Sequence, residues 1–135
     1  VFSDFSLYAD AGCLSVYAGT SINTAHQVVE HVMAEFRELK EELVPDEELR
    51  RAKDHLKGSL LLSLESSGSR MSNLARQEKY LGRFLTLDEV GKHIEEVTTS
   101  HIRELAREWF QQNRIALAVL GNLRGFKMGR ESLAC

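Results

Sequence analysis

The chain has 135 residues, a length that fits one domain with one sizeable core. A hydrophobic fraction of 43%, a charged fraction of 27% and a single proline, Pro45, exclude a disordered or low-complexity protein. The net charge of −3 is spread as mixed runs such as Glu47-Glu48-Leu49-Arg50-Arg51. That excludes the concentrated cationic face of a nucleic-acid binder. No apolar run approaches the ~18 residues of a membrane span, so neither nucleic acid nor membrane is expected as a partner.

Val1 to Tyr8 is rich in apolar and aromatic residues and ends in the turn chemistry of Ala9-Asp10-Ala11-Gly12. Cys13 to Gly19 then alternates with period two, and the two runs together predict an antiparallel hairpin. Thr24-Ala25-His26-Gln27 has the spacing of a capping box. Behind it Val29, Val32, Met33, Phe36, Leu39 and Leu43 recur every three or four residues, the stripe of a helix facing a core. Pro45 suits the first turn of a second helix, whose stripe is Leu49, Ala52, Leu56, Leu60 and Leu64. Ser66-Ser67-Gly68-Ser69 breaks it, and Met71 to Leu81 predicts another helix.

Thr86-Leu87-Asp88-Glu89 is a second capping box and opens a short helix through Val97. Thr98 or Thr99 caps the next one, with Ile102, Leu105, Ala106 and Phe110 on its stripe. Ile115 to Leu120 is a near-continuous apolar run ended by Gly121, which predicts a strand buried on both faces. Strands followed by a run of helices and a last strand define an α+β fold, an antiparallel sheet with helices packed on one face. The whole of 1–135 reads as a single domain. The chain lacks an initiator Met and opens directly in strand-like sequence, so a fragment of a longer protein is expected.

The chemistry-bearing residues are sparse. His26 and His31 stand five apart, about 500° of helical rotation, and so diverge by about 140° on a helix. Zinc peptidase motifs place two histidines on one helical face, so this pair does not form such a site. His55, His93 and His101 stand alone. Cys13 and Cys135 make neither a disulfide framework nor a zinc knuckle, which is read as a reducing compartment or no strong constraint, and a cytoplasmic location is expected. At the helix break, Gly68 is expected to supply a permissive backbone conformation. Arg70 is expected to bind orphan helix carbonyls or pair with Glu65. Glu65, Gly68 and Arg70 are therefore structural candidates, and no residue is assigned as catalytic or metal-binding.

Several segments, in their order and spacing, resemble the second half of the pitrilysin/insulinase family of zinc metallopeptidases, in its bacterial branch similar to mitochondrial processing peptidase. They are Val1-Phe2-Ser3 leading to Asp10-Ala11-Gly12, then Val16-Tyr17-Ala18-Gly19-Thr20 and Glu48-Leu49-Arg50-Arg51-Ala52-Lys53. Ser63-Leu64-Glu65-Ser66 follows with Ser69-Arg70-Met71, and then Leu81-Gly82-Arg83, Leu87-Asp88-Glu89-Val90 and Val97-Thr98. The resemblance covers Val1 to about Leu123. It implies one half of a two-domain, clam-shaped peptidase that closes around an extended peptide substrate. In such proteins the first domain carries H-x-x-E-H and a distal Glu that bind zinc. The second carries an Arg and a Tyr just before the strand that corresponds to the opening of this chain. Neither set maps onto a residue here, and Pro45 stands where the family often has a Ser or Thr cap.

The resemblance thus implies a non-catalytic C-terminal domain that forms a wall of the substrate chamber of a zinc metalloendopeptidase. Zinc belongs to the parent enzyme and not to this fragment. The implied partners are the N-terminal zinc-binding domain of the same parent, the extended peptide, and in some assemblies a second copy in a homodimer. The alternative is a domain of a catalytically inactive homologue that acts as an assembly subunit.

Overall fold

The computed structural model describes residues 1–135, with two strands, five α-helices and two short 3-10 turns. Strands β1 (Phe2–Leu7) and β2 (Gly12–Tyr17) form an antiparallel hairpin, in register from Phe2 opposite Tyr17 to Leu7 opposite Gly12. The Tyr8 N–H donates to Ala11 O at 2.9 Å and closes the turn. The rings of Phe2 and Tyr17, cross-strand neighbours, stack at 5.1 Å.

The fold class is α+β, as expected, but the strand expected at Ile115–Leu120 does not form. The sheet contains only β1 and β2. Ile115 has extended backbone angles (φ −97°, ψ 132°), yet no neighbouring strand offers the N–H and C=O groups that a strand needs. In place of burial on both faces, Leu120 is 103% exposed.

The chain divides into two compact units, Val1–Glu42 with Arg103–Cys135, and Leu43–Ile102. In the first, helix α1 (Ala25–Glu41) turns Val28, Val29, Val32, Met33, Phe36 and Leu39 inward. Its expected capping box is absent. Thr24 at the N-cap has φ −107° and ψ −1°, not the extended backbone that aims a side chain at the N3 amide. The Thr24 hydroxyl turns back to Ser21 O at 3.2 Å and to the Thr20 hydroxyl at 2.6 Å.

Three residues of this unit are buried: Met33 on α1, Ala106 on α5 (Thr99–Trp109) and Leu133 on the 3-10 turn Arg130–Leu133. The rings of Phe36 and Phe110 stack at 4.0 Å. The C-terminal residues are tied to α1 through backbone carbonyls: Arg37 donates to Ala134 O at 3.3 Å and Lys40 to Cys135 O. Arg107 Nε donates to Lys40 O at 2.7 Å, satisfying a carbonyl in the last turn of α1.

The second unit holds α2 (Asp46–Ser63), α3 (Ser67–Leu81), α4 (Leu87–Glu96) and the start of α5. Pro45 occupies the N-cap of α2, one residue earlier than expected, and Asp46, Glu47 and Glu48 fill the first turn, where the helix dipole favours negative charge. Lys53 Nζ donates to Glu95 O at 2.7 Å and Lys57 Nζ to the Glu95 carboxylate at 2.5 Å, which ties α2 to the end of α4. The Lys57 hydrogen bond, with its charge, holds the Glu95 carboxyl below the usual carboxylate range. These groups are solvated, so such pairs fix geometry more than they stabilise.

Helix α3 ends at Gly82, whose φ of 64° is the left-handed C-cap conformation. The following loop is pinned by Gln77 Oε1, which accepts the Leu85 N–H at 2.6 Å. The Thr86–Glu89 capping box forms in both directions: Glu89 N–H donates to Thr86 Oγ1 at 3.2 Å and Thr86 N–H to Glu89 Oε2 at 2.7 Å. Of the two cap candidates for α5, Thr98 is the one whose hydroxyl accepts a first-turn N–H, that of His101 at 3.2 Å.

Candidate functional site

The five histidines are spread over four helices. His26 lies in the first turn of α1 with its ring 4.5 Å from that of Phe126, and His31 is exposed on the same helix. His55, His93 and His101 fall on α2, α4 and α5. No three His, Cys, Asp or Glu side chains are gathered in a group that could hold a metal ion. A peptidase zinc, with its three or more converging protein ligands, does not fit the residues of this chain.

The helix break opens onto a groove of 520 Å³ in the second unit. Its walls are mainly apolar, with Leu60 and Leu64 from α2, Leu74 from α3 and Phe84 from the α3–α4 loop, and Glu65 and Arg70 also line it. No ion pair joins Glu65 to Arg70, and the Arg70 guanidinium bonds no helix carbonyl; the hydrogen bond at that residue is its backbone N–H to Ser66 O at 2.9 Å. Ser66 caps α3, accepting the Ser69 N–H at 3.4 Å. Sequence reading missed the loop side of the groove. Its signal was Gln77, a side-chain acceptor one turn before the helix end that pins the loop.

Gly68 is a correction. It lies inside the first turn of α3 and is not among the positive-φ glycines, which are Gly82, Gly121 and Gly125. The polar run before it stops α2 through the Ser66 cap, so no special glycine conformation is needed. An added Cβ at Gly68 would meet Ser66 Oγ at 3.8 Å, an ordinary contact. Gly68→Ala is therefore expected to stabilise the protein by about 0.5–1 kcal/mol, as for other helical glycines. Gly82→Ala is expected to destabilise it by about 1 kcal/mol through the left-handed φ. Urea midpoints of the two variants should move in opposite directions, and a shift in the same direction would contradict this assignment.

The remaining feature is exposed apolar surface. The chain exposes 10514 Å², whereas two separate globular bodies of half its 15.3 kDa would together expose about 8,600 Å². Phe2, Phe5, Leu7 and Tyr17 on the hairpin and Leu61, Leu62, Leu74 and Phe84 around the groove all stand exposed. Such a surface is chemically suited to packing against other protein, and the open hairpin edges carry unpaired N–H and C=O groups.

Sequence comparison places the chain among known proteins. The family described as the peptidase M16 inactive domain matches residues 1–56. An uncharacterized zinc protease of Bacillus subtilis, YmxG, is 38% identical over 120 residues, 89% of this chain and 29% of that protein. The chain belongs to the M16 peptidase family. An uncharacterized zinc protease of Streptomyces coelicolor is 32% identical over 96% of this chain and 28% of its own length. The beta subunit of the mitochondrial-processing peptidase of Saccharomyces cerevisiae is 31% identical over 85% of this chain and 25% of its own length. The chain thus spans less than a third of each of these relatives. The M16 membership agrees with the motif order from Val1-Phe2-Ser3 to Val97-Thr98. No helix is long and apolar enough to cross a membrane.

Proposed function

We propose that this chain is the non-catalytic C-terminal domain of a zinc metalloendopeptidase and forms a wall of its substrate chamber. The observation that carries the reading is the match to the M16 inactive domain, in a chain whose relatives are named zinc proteases. In this reading residues 1–135 act as one domain of a clam-shaped, cytoplasmic parent. The N-terminal domain of that parent holds the zinc, which lowers the pKa of a bound water and makes it a nucleophile when present. This chain contributes surface: the exposed hairpin edge offers backbone groups to an extended peptide, and its apolar residues meet the rest of the parent. Glu65, Gly68 and Arg70 lie at the joint where α2 gives way to α3, and none of them is assigned to catalysis or metal binding.

The test compares an unstructured peptide incubated with zinc and the full parent, the parent's first domain alone, or this chain alone. Cleavage is expected from the full parent only. Equal activity of the first domain alone would remove the chamber-wall role, and zinc-dependent cleavage by this chain alone would overturn its non-catalytic assignment. A second reading makes the parent a catalytically inactive homologue serving as an assembly subunit; one relative is named as a subunit of a processing peptidase. A full parent that never cleaves but forms a stable complex, as a homodimer or with an active subunit, would select that reading.

A further inference from the structure

The start of α5 carries an unusual reciprocal cap. Thr98 Oγ1 accepts the His101 N–H at 3.2 Å, and His101 Nδ1 accepts the Thr98 N–H at 3.3 Å. The Ile102 N–H donates to Thr98 O at 3.2 Å and completes the turn. This is the two-way geometry of a capping box with imidazole in the place of the usual Glu or Gln. Nδ1 can accept that hydrogen bond only when it carries no proton.

We propose that His101 makes the N-terminal cap of α5 a pH-sensitive joint, closed while the imidazole is neutral and opened by its protonation. A second proton turns Nδ1 from an acceptor into a donor, which then faces the Thr98 N–H, another donor. The same proton places positive charge at the positive end of the helix dipole. Both effects have the same sign.

The other charged groups on the elements that meet here do not reverse this. Glu95 and Glu96 end α4, Glu104 follows in α5, and each would favour an imidazolium by charge. Glu95 is already engaged by Lys53 and Lys57 of α2, and Arg103 adds a cation in the same turn. His101 is exposed, so these charges act through solvent and are screened. The lost acceptor is a direct contact that no distant carboxylate restores.

The capping box of α4 supplies an internal control. The Glu89 carboxyl is held below its usual range by the Thr86 N–H first, then by the Thr86 hydroxyl and Arg83. A depressed carboxyl contributes stability that is present above its unfolded value and is lost as pH falls through the lower folded value. The α4 cap therefore persists through the window in which the α5 cap opens.

The test is amide hydrogen exchange by NMR on this chain, corrected for intrinsic rates, at about pH 7.5 and about pH 5. Protection of the Thr98, His101 and Ile102 amides is expected to fall about fivefold at the lower pH, the loss that follows removal of a helix cap. The Glu89 and Val90 amides should keep theirs. His101→Gln retains an acceptor that does not titrate, so its α5 amides should stay protected at both values. Unchanged wild-type protection, a parallel fall at Glu89 and Val90, or the same fall in His101→Gln would each overturn the proposal. The wild-type comparison stands without the variant.

Discussion

Met33→Ala is expected to lower the unfolding free energy by about 2–5 kcal/mol, the range for truncating a buried Leu, Ile or Met. Met33 is 5% exposed and is the one buried residue of α1. The loss has two parts, the transfer of the removed methylenes and thioether out of the core and the cavity left behind. Only Ala106 and Leu133 share its degree of burial, so few side chains are available to relax into the space. Leu120→Ala is the matched control. That side chain is 103% exposed, and its truncation should change stability by less than about 0.5 kcal/mol. Urea unfolding with an unchanged m-value gives both numbers. A Met33→Ala loss no greater than that of Leu120→Ala would mean that α1 is not packed through Met33.

What the sequence disclosed were the features decided within a few residues. The Thr86–Glu89 box forms because both partners lie on one turn and Thr86 has the extended backbone a cap requires (φ −68°, ψ 160°). The same spacing at Thr24–Gln27 fails because the Thr24 backbone is helical, a property the side chains do not encode. Thr98–His101 was legible in principle. Thr-x-x-His has the geometry of Thr-x-x-Glu, and a histidine that stands alone in sequence is more often a surface or capping residue than a ligand. The strand expected at Ile115–Leu120 was misread for a non-local reason. Apolar content fixes a preference for extended structure, while strand formation also needs a partner, and the sheet ends at β2.

The family was readable from the order of many weak motifs, each without chemistry of its own. The exposed surface was not, because an apolar stripe on a helix reads the same whether or not something covers it. Leu56 and Leu74 fit their helices' patterns and still stand open. The five-residue step from His26 to His31 makes them diverge by about 140° on any α-helix, whatever surrounds it.

Phe36→Ala is expected to cost about 3 kcal/mol and Phe110→Ala a similar amount, at the low end for phenylalanine because both side chains are half-buried. Phe36 lies on α1 and Phe110 directly follows the last residue of α5, so the pair joins two segments far apart in sequence. The geometry predicts how the two costs combine. Their rings lie 4.0 Å apart with planes 6° from parallel, nearer than the 4.5–7 Å of favourable aromatic pairs. Dispersion and burial hold the pair. A double-mutant cycle is accordingly expected to give a coupling of about 0.5–1.5 kcal/mol, with the rest of each single cost arising from lost area. A coupling near zero would mean that the two rings do not pack on each other in solution. Single losses under about 1 kcal/mol would show that these rings do not join α1 to the end of α5.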